Sequence, residues 1–542
     1  MSCQVFPLYH TPKDFNMKKK QIYLLISTLV FWLITFFTDT KLFTREPLNM
    51  NCLPVDQSAA GFCYIITKIL VFGFIYGFLS FLLYARKRKT LWIPFVLFLL
   101  VYLAGLFVTY PGYYMNDDPI IFAYATRYYP VYWHHYLTSL FYMTGMSLFP
   151  ASCGPVLLSD ILYAMVYSYV VHEGYKLFQG RNRWLLGLLG IFPFVLLGAL
   201  MCFRPAVYSS FFLFYVMMLI FHRKKGCQLD NKKLLLLAFL TALLSLWRSE
   251  GILLLLFAPV LLAFAYRKPS KKRLGVFFIA SILCFLILKL PQSVGEDKYY
   301  GSDYLIISTT RPLSVIVHRE QTYEGAGEDI ENISRITEYG YLHNDSLSCS
   351  AYNRYNSDHN EGRYTQTGAD KETQKAYLKS AVRLILHNLD LYIGERIQLF
   401  LVTNGFYQYD TSMVLDLKPV VATDFHLYDH DKAYGFEMLE AFKRIDWEGN
   451  DSYAMFLFRF GGEAYIPMLI LAMGILIIAL VRKKWFYVVL LLSLFAREAV
   501  IFLTAPASFI QYSYPFMYAT AAIGMVLLVE AVEKRRTGKE NR

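Results

Sequence analysis

The sequence predicts an all-α polytopic membrane protein of about 12 transmembrane helices, with an α or α+β extracytoplasmic domain inserted before the last three. Three observations carry that expectation. Hydrophobic residues make up 56% of the 542-residue chain and aromatic residues 17%. Apolar runs recur at lengths suited to a bilayer core of about 30 Å. Clusters of Lys and Arg fall at alternate ends of those runs.

In chain order the runs lie near 21–38, 62–84, 91–109, 155–178, 184–201, 206–221, 234–247, 251–266, 275–291, 463–481, 485–503 and 512–531. The first follows Lys18–Lys20 and has no Ala-x-Ala site, so it is expected to stay as a signal anchor. Several runs fall short of about 20 residues, which implies little tilt or extension by polar residues buried in the bundle. The division that follows is an N-terminal bundle, 1–291, with a first outer loop at 110–150; an extracytoplasmic domain, 292–460; and a C-terminal three-helix segment with a basic tail, 461–542.

Orientation comes from the basic clusters, because Lys and Arg near span ends are retained in the cytoplasm. Lys18–Lys20, Arg86–Lys89, Arg181–Arg183, Arg223–Lys225, Arg267–Arg273, Arg482–Lys484 and Lys534–Lys539 share one side, so both termini are expected to be cytoplasmic. The apolar stretch 136–149 would invert every later cluster if it crossed the membrane. It is therefore read as a helix lying in the outer interface.

The long hydrophilic stretch 292–460 then falls outside. It holds 26 acidic and 16 basic side chains, net −10, so with the whole chain at +12 the remainder carries +22. The basic balance thus describes cytoplasmic loops, and no repeated aromatic-basic pattern marks a nucleic-acid surface. Within this stretch 376–402 has helical spacing of apolar residues and is expected to pack in the domain core rather than on lipid. The eight cysteines include no C-x-x-C pair and no His at ligand spacing, which argues against zinc. Cys52, Cys63 and Cys349 share the outer compartment on this map, and the sequence does not pair them. Sequons at Asn332, Asn344 and Asn450 carry no weight by themselves.

Charges inside apolar runs are the next signal. Asp160, Arg204, Arg248, Glu250, Arg497 and Glu498 all sit in or beside spans, where an unpaired charge costs roughly 2.5–3.5 kcal/mol. On this map they share the outer half. Arg204 and Arg248 also break the positive-inside bias, which asks for a carboxylate or a lipid phosphate as partner. Two readings stand: internal ion pairs, Arg248 with Glu250 and Arg497 with Glu498, or a site for an anionic lipid.

The first outer loop reads YPGYYMNDDPIIFAYATRYYPVYWHHYL at 110–137. Asp117 and Asp118 stand at the lipid-water boundary with aromatic rings and His134 and His135 behind them, an arrangement suited to chemistry there. The same string is good turn and cap chemistry, with Asp118 capping a helix that opens at Pro119. The histidines also suit an interfacial role, and the Tyr and Trp rings fit a membrane belt as well as a sugar-stacking surface.

This loop resembles that of multi-span glycosyltransferases of the GT-C fold, which place a catalytic Asp or Glu in the first large outer loop, followed by an interfacial helix. Asp117 and WHHYLTSLFYMTGMSLF at 133–149 occupy those places. A closer resemblance is to a bacterial GT-C-like family with Tyr-Pro-Gly, an Asp about five residues on, and then His-Pro. Tyr110, Pro111, Gly112 and Asp117 fit, whereas Tyr136 follows His135 where Pro is expected and Asp118–Pro119 replaces the usual Ser and its neighbour. SLWRSEGIL at 245–253 is similar to the family's Arg-x-x-Gly element, and IQYSYPFMY at 510–518 to its Arg-Tyr-x-x-Pro element. Gln511 stands where that element has Arg, which leaves Arg497 to supply the cation.

The resemblance implies a bacterial cytoplasmic membrane enzyme that moves a sugar from a polyprenyl-phosphate donor to a glycan, lipid or protein acceptor at the outer face. It assigns Asp117, with Asp118, to catalysis and Arg204, Arg248 and Arg497 to the donor phosphate. Tyr113, Tyr114, His134, His135, Glu250 and Gln511 become sugar or acceptor contacts. A divalent cation, Mg or Mn, shared by Asp117 and Asp118 stays an open reading. The rivals are a transporter or flippase of a lipid-linked saccharide, a saccharide polymerase or ligase, and a structural envelope protein. Fold analogy does not separate them.

Overall fold

The computed structural model describes residues 15–37, 39, 43, 56–114, 118–299, 303–337, 339–342, 370–404, 464–505 and 510–540. These are almost wholly helical, with no β-strand longer than an isolated bridge among them. Among the described residues eight helices are long and apolar enough to cross a bilayer: Lys20–Phe37, Gln57–Ala85, Lys89–Val108, Gly154–Leu177, Arg204–Lys225, Lys271–Glu296, Trp485–Thr504 and Ile510–Arg536.

The other runs form helices too, each with a local cause for its form. The run 184–201 is a 3-10 segment, Arg181–Ile191, followed by a helix, Pro193–Ala199, bent by 53° between them. Phe192 sits extended at the break because Pro193 disfavours a helical residue before it. The runs 234–247 and 251–266 form Asn231–Trp247 and Ser249–Ala265, and 463–481 forms Tyr465–Val481. Asn231–Trp247 starts where the Asp230 carboxylate accepts from the Lys233 backbone N–H. Arg204–Lys225 stops at Gly226, whose left-handed φ of 62° a glycine takes without a Cβ clash.

The main helices used below are α1 Phe15–Phe37, α2 Ala60–Ala85, α3 Lys89–Val108, α4 Asp118–Ala125, α5 Leu137–Leu148, α6 Gly154–Leu177, α7 Pro193–Ala199, α8 Arg204–Lys225, α9 Asn231–Trp247, α10 Leu253–Ala265 and α11 Lys271–Tyr299. After them come α12 Asp303–Ile316, α13 Ala326–Ser334, α14 Tyr339–Leu342, α15 Lys371–His387, α16 Leu389–Thr403, α17 Tyr465–Val481, α18 Trp485–Thr504 and α19 Tyr514–Glu540. α6 and α8 are buried along most of their length and form the centre, while α1 and α11 are mostly uncovered at the edge. The basic clusters meet at one end: Lys225 pairs with Glu173 of α6, and Lys224 with Glu530 of α19 at 2.9 Å. The opposite end gathers the first loop, the start of α8, the α9–α10 turn and the α18–α19 connection.

The stretch 136–149 is not a span. It forms α5, 12 residues long, which at 1.5 Å per residue is far too short to cross a bilayer. It is enclosed by α2, α4 and α6, with every residue from Thr138 to Ser147 buried. The approach to α6 is close because Gly145 has no side chain: a Cβ there would stand 2.6 Å from the Pro155 Cα.

Past the bundle, Leu313, Ile316, Ile333, Ile336, Leu342, Tyr377, Ala381 and Leu384 make a second, smaller apolar core. The helical pattern at 376–402 forms two helices separated at Asn388: α15 turns Tyr377, Ala381 and Leu384 inward there, whereas α16 adds only Leu391 at the edge and leaves Ile393, Ile397 and Leu401 exposed. α11 runs through position 291 to Tyr299 without a break, so the helix passes the expected domain boundary. Cys63 is buried in α2 as a free thiol, whereas Cys52 and Cys349 lie outside the described residues. Asn332 donates to Ser380 at 3.2 Å, and Asn344 and Asn450 are outside the described residues.

Candidate functional site: a buried arginine cluster

Three separate breaks in the helices bring the intramembrane charges together. Arg204 opens α8, with Pro205 supplying the preset backbone of the first turn. Arg248 ends α9 in an extended conformation, and the Gly251 N–H closes the reversal on its carbonyl at 2.9 Å. A Cβ on Gly251 would sit 2.1 Å from the Leu244 carbonyl oxygen, so the Arg-x-x-Gly spacing is the geometry of a turn that only glycine completes. Arg497 and Glu498 arrive on α18, and a 3-10 turn, Ile510–Ser513, supplies Tyr512 and Ser513.

Glu250 is the hub. Its Oε1 accepts from Arg248 Nε and from Arg497 Nη2, the latter at 2.7 Å. Arg497 also donates to Glu498 Oε1 and to the Tyr512 carbonyl, each at 2.9 Å. Glu498 Oε2 then accepts from Ser513 at 2.6 Å and from Tyr465 at 3.1 Å. Arg248 and Arg497 are only 2% and 4% exposed. Both ion pairs expected from the sequence therefore form, and the Arg497–Glu250 pair joins them across the bundle. The Arg248 guanidinium carbon stands 6.0 Å from the Tyr208 ring and 5.5 Å from that of Tyr512.

Donor capacity is left over. Arg248 Nη1, Arg497 Nε and Arg204 Nε are buried without a hydrogen-bond partner among the described residues. Arg204 has no carboxylate partner there, and its charge is felt both by Arg248 and by His135. A cleft opens from Glu250 and Arg497 between α8, α10 and α18, lined further by Tyr208, Phe212, Leu254 and Phe257. Gln511 sits half-buried in the 3-10 turn beside Tyr512, and Arg497 is the cation bonded to that turn.

The first loop packs beside this cluster. His134 and His135 are both buried, so neither bridges rings to headgroups from an exposed surface. Burial, then the charges of Arg204 and Lys289, pushes His135 down to about 3, and its ring is neutral at physiological pH. The Leu137 N–H points at His135 Nδ1 at 3.4 Å, which makes Nδ1 the acceptor and leaves the proton on Nε2. Gln292 of α11 holds the segment: it accepts from the Tyr136 N–H at 2.8 Å and donates to the Tyr132 carbonyl at 2.6 Å. Trp247 at the end of α9 donates to Thr138 at 3.1 Å, tying α5 to the arginine turn.

Other expected site residues are placed differently. Asp117 lies outside the described residues. Asp118 does open α4, but its carboxylate is fully buried and faces the Tyr142 hydroxyl, which in turn accepts from Cys202 at 3.0 Å. Tyr113 and Tyr114 are packing residues: the Tyr113 N–H bonds the Leu200 carbonyl at 2.9 Å and the Tyr114 hydroxyl donates to Ser152. Asp160 is buried in α6 away from the cluster, with neither oxygen partnered among the described residues. No group of three or more His, Cys, Asp or Glu is placed to hold a metal ion among the described residues. Sequence reasoning missed Tyr208, Tyr465, Ser513 and Gln292, since a lone Tyr, Ser or Gln in an apolar run carries no signal of its partner.

Comparison with protein-family models, with curated proteins and with solved structures finds no match to this chain.

Proposed function

We propose that this chain is a membrane glycosyltransferase of the GT-C type, moving a hexosyl or related group from a polyprenyl-phosphate donor to a glycan, lipid or protein acceptor of the cell envelope. About 12 spans, cytoplasmic termini and an outward-facing 292–460 belong to the same reading. The observation that supports it is the buried arginine cluster, from whose Arg497 and Glu250 a narrow cleft opens between helices. A phosphate on a long apolar tail would set its charge among the guanidinium groups and its tail along Phe212, Leu254 and Phe257, where the helices would have to part, since the cleft there holds about 20 Å³.

In the reaction the acceptor hydroxyl oxygen bonds to C1 of the sugar with inversion as the C1–O bond to phosphate breaks. The phosphate leaves with the electron pair, and Asp117 takes the hydroxyl proton. Arg204, Arg248 and Arg497 offset the charge that develops on the leaving oxygen, most effectively where water is excluded. Asp118, turned toward Tyr142, positions the loop and takes no part in the step.

The test is turnover by the purified protein in liposomes, on polyprenyl-phosphate sugars extracted from the native membrane. Wild type is expected to consume donor, and a folded Asp117→Asn protein to lose at least about 100-fold in rate, the usual share of a general base. Movement of labelled lipid across the bilayer with no new glycosidic bond overturns the reading and makes the chain a flippase.

A further inference from the structure

α16 is built with its polarity reversed. Its sequence, LDLYIGERIQLFLVT, holds three charged residues. Asp390, in the first turn, is held by both terminal nitrogens of Arg319, at 2.9 and 2.6 Å. Glu395 and Arg396 are only 2% and 0% exposed and turn their charges inward: Glu395 pairs with Arg311 and with Arg396, and Arg396 donates to the Ala505 carbonyl at 2.6 Å. Leu389, Ile393, Ile397 and Leu401, four residues apart, stand uncovered instead. A helix that meets water shows the opposite order. α13, which packs in the same smaller core, does so, with Glu328 and Glu331 exposed and Ala326 and Ile333 buried.

The reversal begins within α15. Lys371, Lys375 and Lys379 are exposed along its first half, and on the same side of its last turns Val382 and Leu386 are exposed. The uncovered surface thus passes from lysines to six aliphatic side chains, Val382, Leu386, Leu389, Ile393, Ile397 and Leu401, as the chain approaches the bundle.

The course of α16 shows what medium those side chains meet. Tyr392 donates to the Leu503 carbonyl at 2.7 Å, Arg396 reaches Ala505, and the Phe400 ring stands 6.3 Å from that of Phe502 and 6.1 Å from that of Tyr465, where α17 begins. From 392 to 400, therefore, α16 keeps to the last residues of α18 and crosses the end of that helix at one level. Its 15 residues, at about 1.5 Å each, are too few to cross the bilayer. Leu503 is itself exposed, and Leu492 of α18 and Ile470 of α17 continue the uncovered apolar surface along the bundle. The aliphatic side chains of α16 are thus level with the end of a surface that only lipid suits.

We infer that α16 and the last turns of α15 lie on the bilayer, on the leaflet at the arginine-cluster end, which is the outer one in the proposed topology. Their aliphatic side chains enter the boundary between headgroups and acyl chains, with Lys371, Lys375 and Lys379 on its water side. The bilayer is then the partner that these six side chains lack among the described residues. It seats the smaller core on the membrane beside α18, the helix that carries Arg497.

The experiment places p-benzoylphenylalanine, which on illumination bonds to a nearby C–H group, at position 397 of the full-length protein in phosphatidylcholine–phosphatidylglycerol vesicles, and identifies the adduct by mass spectrometry. The same residue in place of Leu286 on α11 marks a span side chain in lipid, and in place of Glu331 on α13 a side chain in water. All three native side chains are exposed, so the larger ring displaces no packed neighbour. A phospholipid adduct is expected at 397 as at 286, with a yield at least about tenfold above that at 331, since moving one aliphatic side chain out of water favours the contact by that order. A lipid adduct at 286 with none at 397 above the level at 331 overturns the inference. So does a cross-link from 397 to residues 405–463 of the same chain, or to a second copy, either of which would be the cover of this face in place of lipid.

Discussion

Glu250 shows how one residue organises a site that no local pattern describes. Its neighbour in sequence, Arg248, and a residue 247 positions away, Arg497, share one of its oxygens. Two guanidinium groups can lie in an apolar bundle because that carboxylate stands between them. Replacing one partner of such a buried pair leaves the other charge unmet, at a cost of about 3–5 kcal/mol. Glu250→Gln is therefore expected to lower the thermal unfolding midpoint in detergent well below that of Arg204→Gln, since Arg204 has no carboxylate partner among the described residues. Equal melting of the two variants would contradict the hub role. The presence of these charges was legible in the chain, as Arg and Glu in apolar runs are rare. Their pairing was not, because Tyr208, Tyr465 and Ser513 look like ordinary span residues until the helices meet.

At the scale of elements, two ties couple the helices beyond the bundle to the site. Gln292 on α11 holds the backbone of 132–136, and Gly295 one turn on leaves room for the Tyr132 ring, which a Cβ would approach to 2.2 Å. On the other side, Arg396 of α16 donates to the Ala505 carbonyl at 2.6 Å and Tyr392 to that of Leu503 at 2.7 Å, fixing the end of α18. Gln292→Leu keeps side-chain volume close while removing its bonds to the Tyr136 N–H and the Tyr132 carbonyl. Backbone amides of 132–137 are then expected to exchange hydrogen at least about tenfold faster, each lost buried partner being worth about 1–3 kcal/mol. Unchanged protection there would mean that packing alone holds the loop. The short α5 belongs to the same scale: its apolar composition was plain, but its burial follows from the Gly145–Pro155 approach, a contact between two helices.

For the whole molecule, the basic residues collect at one end of the bundle and the arginine cluster at the other, so the proposed function depends on orientation. The proposed topology puts Glu320 outside and Arg482 in the cytoplasm, and both side chains are exposed. With the exposed native cysteines blocked, an impermeant maleimide is expected to label Glu320→Cys in intact cells and Arg482→Cys only after permeabilisation. Labelling of both from the same side would undo the topology and, with it, an outer-face reaction.

The sequence by itself determined the helical membrane class, the place of every apolar run, the alternation of basic clusters and which residues bear charge inside them. Those are sums over neighbours along the chain: transfer of some 20 side chains into lipid, or a turn that requires Gly251. Only the tertiary structure decided that Arg497 answers Glu250 and that Asp118 turns inward to Tyr142. Each depends on which helices pack together and at what depth. A buried charge chooses its partner by distance in space, and distance along the chain does not encode it.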